Sequence, residues 1–214
     1  MFRKLAFRWT GSLLLIWACT PAYSQEFSAE MVRQKPAGAP TTQISVSKDK
    51  VRFDVNGQSK KSYVIIDLTK RASVMVLPAN KTYIMTAPGR IPSSIPLLHI
   101  DDPENACPAW EKALNNPGTC KKVGDDTLNG RSTVKYTGTA DNGDTGTAWV
   151  DRKLHFVIKW EGEKGAAELQ NIKEGPQDAS LYQIPTDYQK MDVTAARKSG
   201  QKRMPRSVSP KPIK

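Results

Sequence analysis

Cys107 and Cys120 are the first residues whose type and spacing suggest chemistry. They bracket a short segment, and the only other cysteine is Cys19. Two thiols with no histidine nearby leave a tetrahedral zinc site short of ligands. In an exported chain, a disulfide is the natural use of such a pair. The chain-entropy account gives a loop of this size about 3 kcal/mol of stabilisation. His99 stands close to Asp101, Asp102 and Glu104. Those residue types can hold a metal, but the same run also makes an ordinary acidic loop, and the loop is the expectation here. His155, the second histidine, falls in a strand and reads as structural or exposed. Asp141-Asn142-Gly143-Asp144 opens like a calcium loop but lacks the later bidentate glutamate, so a hairpin turn is expected. Asn80-Lys81-Thr82 fits a glycosylation acceptor, yet it reads more simply as turn chemistry. No Gly-x-Ser-x-Gly elbow, phosphate-cradling glycine loop or His-Glu-x-x-His is present. The sequence therefore predicts neither an enzyme nor a cofactor or metal site.

The remaining candidates are apolar. Ile66, Val76, Tyr83, Trp149, Phe156 and Trp160 are of the types that line a hydrophobic cleft. The same residues also make an ordinary core. Strand parity decides between the two, and a one-residue slip exchanges the faces of a sheet.

These side chains need strands to hold them. Ser62–Met85 reads as three strands, Tyr63–Leu68, Ser73–Leu77 and Lys81–Met85. Thr69-Lys70-Arg71 and Pro78-Ala79-Asn80 are the turns between them. Val64-Ile65-Ile66 and Val74-Met75-Val76-Leu77 are unbroken apolar runs, which predicts cover on both faces. Upstream, Phe27–Met31, Ile44–Ser47 and Val51–Val55 read as strands. Downstream, so do Lys121–Asp125, Arg131–Thr137, Gly146–Val150, Leu154–Trp160 and Ala167–Lys173, with one helical turn at Thr186–Asp192. Between the two groups, Pro88, Gly89, Pro92, Pro96 and Pro103 exclude a regular strand or long helix. Ile91, Ile95, Leu97, Leu98 and Ile100 make that segment a candidate cover for a sheet face. Pro108–Leu114 reads as a short helix with proline in its first turn. About ten or eleven short, closely spaced strands point to a mainly antiparallel β domain.

Both ends differ from this body. Arg3, Lys4 and Arg8 precede the apolar run Leu13–Ala18, and Ala22-Tyr23-Ser24 offers a cleavage site. This is the three-part pattern of an export signal, with cleavage expected after Ser24. Ile16-Trp17-Ala18-Cys19 also has the form of a lipobox, so lipid anchoring at Cys19 stays open as the alternative. The apolar run is too short to span a bilayer, which takes about 20 residues. Residues 195–214 carry seven basic and no acidic residues and little apolar bulk. They read as a disordered tail, able to touch an anionic envelope surface. With three basic residues in 1–24, these ends leave only +1 of the formal +11 on residues 25–194. The high pI therefore belongs to the ends, and nucleic acid is not an expected partner of an exported chain. The organisation is a signal at 1–24, one β domain at 25–194 and a basic tail at 195–214.

The order of features in the body resembles an exported bacterial domain of unknown function with a lipoprotein-carrier (LolA/LolB-like) fold. Carrying the resemblance are Val51-Arg52-Phe53, Ile65-Ile66-Asp67-Leu68, Val76–Tyr83 and Val123-Gly124 followed by Leu128-Asn129-Gly130-Arg131. Trp149-Val150-Asp151, Glu168–Ile172 and Ile184–Tyr188 complete it, so that it covers about residues 27 to 191. It implies a curved, open antiparallel half-barrel, with helical or loop cover over an apolar cavity. On that basis the expected function is a periplasmic binding protein that holds a lipid, an acyl chain or a lipidated partner. The alternative is an envelope interaction or sensor module without a small ligand. No family site residue maps onto this chain individually, and fold likeness alone does not transfer a function.

Overall fold

A computed structural model describes residues 25–191 apart from 36–37, 39, 58–59, 87–98, 115–117, 140–142 and 164. The export signal, Cys19, the basic tail, the Asp141-Asn142 turn and most of the proline-rich cover thus lie outside the described residues. One sheet dominates. Its strands are β1 (Phe27–Lys35), β2 (Thr42–Val46), β3 (Lys50–Gly57), β4 (Lys60–Asp67), β5 (Ala72–Leu77) and β6 (Thr82–Met85). After helix α1 (Cys107–Leu114) come β7 (Thr119–Leu128), β8 (Arg131–Thr139), β9 (Thr145–Asp151), β10 (Phe156–Gly162), β11 (Ala166–Glu174) and β12 (Gln189–Lys190). The spatial order is β12-β6-β5-β4-β3-β2-β1-β11-β10-β9-β8-β7. Two antiparallel meanders, β1–β6 and β7–β11, are joined side by side where β1 pairs with β11. The first and last strands of that order do not pair, so the sheet is open.

The expected mainly β, open and curved sheet is what the chain forms. Twist accumulates across so many strands. Register shifts at Ser28/Glu30, Val157/Lys159 and Lys122/Gly124 bend it further, as bulges do. Three details differ from the sequence reading. There are twelve strands rather than ten or eleven. β7 runs ten residues where Lys121–Asp125 was expected, because its Lys, Gly and Asp residues hide the strand pattern. The helical turn lies at Ala179–Tyr182 rather than Thr186–Asp192, where the two-residue β12 instead pairs parallel with β6.

Directly opposed residues share a face, so the pairing sorts the core. Phe27, Ile44, Val51, Phe53, Ile66, Phe156, Ile158 and Leu169 form one buried cluster on the inner face. Leu68, just past the end of β4, and Leu128 of β7 both pack against it, although seven strands lie between β4 and β7 in the sheet order. Further along that face, Val134, Tyr136, Val150 and Val157 are covered by Ile100, Ala106, Cys107 and Trp110. This cover is held at several points. The Ile100 amide donates to the His155 carbonyl at 2.8 Å. The Tyr136 hydroxyl donates to the Pro103 carbonyl at 2.8 Å and accepts from the Ala106 amide at 3.2 Å. Cys107 and Cys120 form the expected disulfide, which ties α1 to β7.

The cover expected on both sides of the apolar meander is complete only on its outer side; on the inner side Ile66 is buried, but Met75 is 42% exposed. Ile66 faces inward. Ile65 and Val76 face outward, where Tyr182, Ile184 and Tyr188 pack over them as a C-terminal strap. Lys81 anchors the strap through Asp187 at 2.8 Å. Arg52 anchors it by donating to the Leu181 carbonyl at 3.0 Å.

Candidate functional site

The six apolar candidates do not converge on one lining. Ile66 and Phe156 are core residues of the inner face, 2% and 1% exposed. Trp160 is half-buried and bridges the two inner clusters. Val76 and Tyr83 are directly opposed on the outer face, beneath the strap. Trp149 is also outward, but it stands beyond β1, on β9. Its parity follows from pairing with Lys135 on one side and Lys159 on the other. Both ammonium groups sit against its ring, at 5.0 and 4.7 Å from the centroid. Its indole N–H donates to Asp126 at 2.8 Å, and this bond is the leading cause that lowers the Asp126 pKa. Lys159 also pairs with Glu161 at 2.9 Å and lies 3.8 Å from Glu168. An indole flanked by two cations is held in a polar lattice, not in a greasy wall.

The apolar surface left open is elsewhere on the inner face. Phe53, Val64, Met75 and Ile84 stand directly opposite one another in a row across β3, β4, β5 and β6. Burial falls along the row, from Phe53 at 4% exposure through half-buried Val64 to Met75 at 42%. Ile84 and the neighbouring Leu77 are half-buried. The side chains around them on this face, Ser73, Thr82 and Thr86, are uncharged. Ser73 and Thr86 satisfy each other, with hydroxyls 3.0 Å apart and the Ser73 amide donating to Thr86. Among the described residues, an apolar patch thus runs out of the core to β6 without meeting a charge. The sequence reading included Ile66 beside this patch but missed Met75, Ile84 and Val64, because their shared face depends on parity across three pairings.

The histidines sit where the cover meets β10. His99 bridges to Phe156, and its ring stacks on His155 with centroids 6.5 Å apart. His99 Nε2 lies 3.2 Å from Asp101 Oδ1, while His155 Nδ1 lies 2.9 Å from the Asp101 carbonyl. Burial is the main cause that lowers the His99 pKa. No group of three or more His, Cys, Asp or Glu among the described residues has metal-binding geometry. The arrangement pins the cover to β10.

No protein-family model and no curated protein sequence matches the chain. Similar solved structures include an uncharacterised conserved protein from Thermus thermophilus, 11% identical, covering 78% of this chain and 90% of that one at a TM-score of 0.49. The Pseudomonas aeruginosa MucA/MucB complex matches at 12% identity, 77% of this chain, 57% of that chain and a TM-score of 0.37. A putative outer membrane lipoprotein-sorting protein domain from Vibrio parahaemolyticus matches at 10% identity, 75% and 90% coverage and a TM-score of 0.29. The expectation of an uncharacterised domain with a lipoprotein-carrier-like fold stands alongside neighbours of this kind. Each TM-score is below 0.5, so function is read here from the chain's own residues.

Proposed function

We propose that this chain is a non-catalytic binding protein of the cell envelope that holds one apolar chain, either an acyl group or the lipid of a lipidated partner. The observation that carries this reading is the uncharged row Phe53–Val64–Met75–Ile84, which is core at one end and open at the other. A hydrocarbon laid along it extends the core outward. Each Å² of apolar surface buried contributes roughly 25 cal/mol, before the costs of association are deducted. The side chains of the row itself carry no hydrogen-bonding group, which suits a ligand that is apolar along its length. The export signal expected in residues 1–24 supports this reading, because an exported carrier would meet acyl chains and lipoproteins that need shielding from water.

The test is native mass spectrometry of protein purified from periplasm, followed by organic extraction. A stoichiometric co-purified lipid supports the reading and names the ligand class. A clean apo mass, with no uptake of offered fatty acid or phospholipid, overturns it in favour of an interaction module without a small ligand.

A further inference from the structure

The apolar row on the inner face has one closed end and one open end. Phe53, Val64, Met75 and Ile84 are directly opposed on neighbouring strands. Beyond Phe53 the next residue in line is Ile44, which is fully buried, so the core stops the row there. The other end runs one strand further than β6. Gln189 and Lys190 of β12 oppose Thr82 and Tyr83, and the Met191 amide donates to the Tyr83 carbonyl at 2.8 Å. Lys190 shares the outer face with Tyr83, so alternation turns Met191 to the inner face beside Ile84. Met191 is half-buried and ends the row at the margin of the sheet.

From Phe53 to Met191 there are four strand spacings, about 19 Å. An extended hydrocarbon advances about 1.25 Å per carbon, because its bonds of about 1.5 Å zigzag. The row therefore matches about fifteen carbons. Its open stretch is one chain wide. Beside Met75 and Ile84, the next inward positions along the strands are Ser73 and Thr86 on one side and Leu77 and Thr82 on the other. Hydroxyls thus border the stretch on both sides, and none of these four residues carries a charge. Met75 and Met191 have unbranched, adaptable side chains that follow the bends of a ligand.

We propose that this row measures a single acyl chain of about fourteen to sixteen carbons, its methyl end against Phe53 and its head leaving past Met191 into water. The assignment rests on the binding role argued above and adds what that site selects, which is chain length and chain number rather than head group. A free fatty acid and a lysophospholipid share this chemistry. A two-chain phospholipid exceeds the width of the row.

Competition against a fluorescent acyl probe bound to the purified protein decides the matter. The competitors are saturated fatty acids of eight to eighteen carbons, a fourteen-carbon lysophosphatidylcholine and dimyristoyl phosphatidylcholine. Affinity should rise about two- to fourfold per carbon, the range from half to full burial of each methylene, and level off near about fifteen carbons. The lysophospholipid should compete within about threefold of the fourteen-carbon acid, and the two-chain lipid at least about tenfold more weakly. Met191→Asp shortens the row by one strand spacing of about 4.8 Å, and should move the plateau about four carbons shorter. Saturable binding of no chain at any length overturns the binding role itself, and this assignment with it. Binding with a plateau at ten carbons or fewer, or with none by eighteen, overturns the assignment alone. So does a lysophospholipid that fails to compete, a two-chain lipid that competes equally, or a plateau that Met191→Asp leaves in place.

Discussion

The guanidinium of Arg52 lies 3.8 Å from the centre of the Tyr63 ring, on the outer face of the sheet. From there the same side chain pairs with Asp54 at 2.8 Å and donates to the Leu181 carbonyl. It is thus the rivet between β3 and the C-terminal strap. Arg52→Ala should loosen the strap by about 1–2 kcal/mol, the worth of one charge-assisted hydrogen bond with its cation–π contact. Hydrogen exchange reads this locally. The Gln189 and Met191 amides, which donate to the Lys81 and Tyr83 carbonyls, should exchange faster while the β1–β2 amides do not.

Asp151 is 1% exposed and has three claims on it. Its carboxylate takes the Arg131 guanidinium and accepts the Lys153 and Leu154 amides at 2.8 Å each, which shapes the β9–β10 turn. Asp151→Ala should cost about 2–3 kcal/mol, because it leaves Arg131 only its ion pair with Glu174 and deprives two amides of their acceptor. Urea denaturation should show a lower midpoint with an unchanged slope.

Glu104 fixes the cover electrostatically. It accepts from Arg152 and Lys122 at 2.6 Å each, which pulls its pKa from 4.5 to about 2. A carboxyl with a depressed folded pKa stabilises the fold above its unfolded pKa, and that contribution drains away as pH falls toward the folded value. Stability should therefore fall between about pH 4.5 and pH 2. Glu104→Gln should flatten the melting-temperature profile across this window and lower the plateau above it.

Replacing both Cys107 and Cys120 by serine should remove about 3 kcal/mol. The loss should register in Trp110, which packs edge-on to Tyr136 with centroids 6.1 Å apart. Its fluorescence should shift toward that of a solvated indole in the native state, before global unfolding.

Met75→Lys should abolish acyl uptake while changing stability by less than about 0.5 kcal/mol, since the residue is already exposed. Val76→Ala, one residue on but facing the strap, should do the reverse. It should cost about 1–2 kcal/mol by opening a cavity and leave uptake intact. Fluorescent fatty-acid titration alongside thermal melts separates the two.

The Ser62–Met85 meander was legible because its turn residues and unbroken apolar runs are local signals. The cover over its outer face followed from the same runs, whereas the inner-face Met75 of those runs is exposed. The disulfide followed from two cysteines and the expected compartment. What escaped was whatever depends on parity summed over several pairings. Ile66 and Val76 look alike in sequence, yet one faces the core cluster and the other the strap. The Lys135–Trp149–Lys159 stack joins residues from three strands whose register includes a bulge at Val157/Lys159, and no spacing in the chain announces it. β7 was underestimated because a strand at the end of a sheet, wet on its free side, need not alternate.

The parallel pairing of β12 with β6 has a consequence for how the protein behaves in company. An open sheet has two raw margins, and each is a template on which another chain can polymerise. Here one margin is occupied by the molecule's own strap. The other, β7, is kinked at Gly124 and studded with Lys121, Lys122, Asp125 and Asp126. A twelve-stranded sheet is thereby kept from growing a thirteenth strand out of its neighbour. Were the strap to detach, β6 would become such a bare margin.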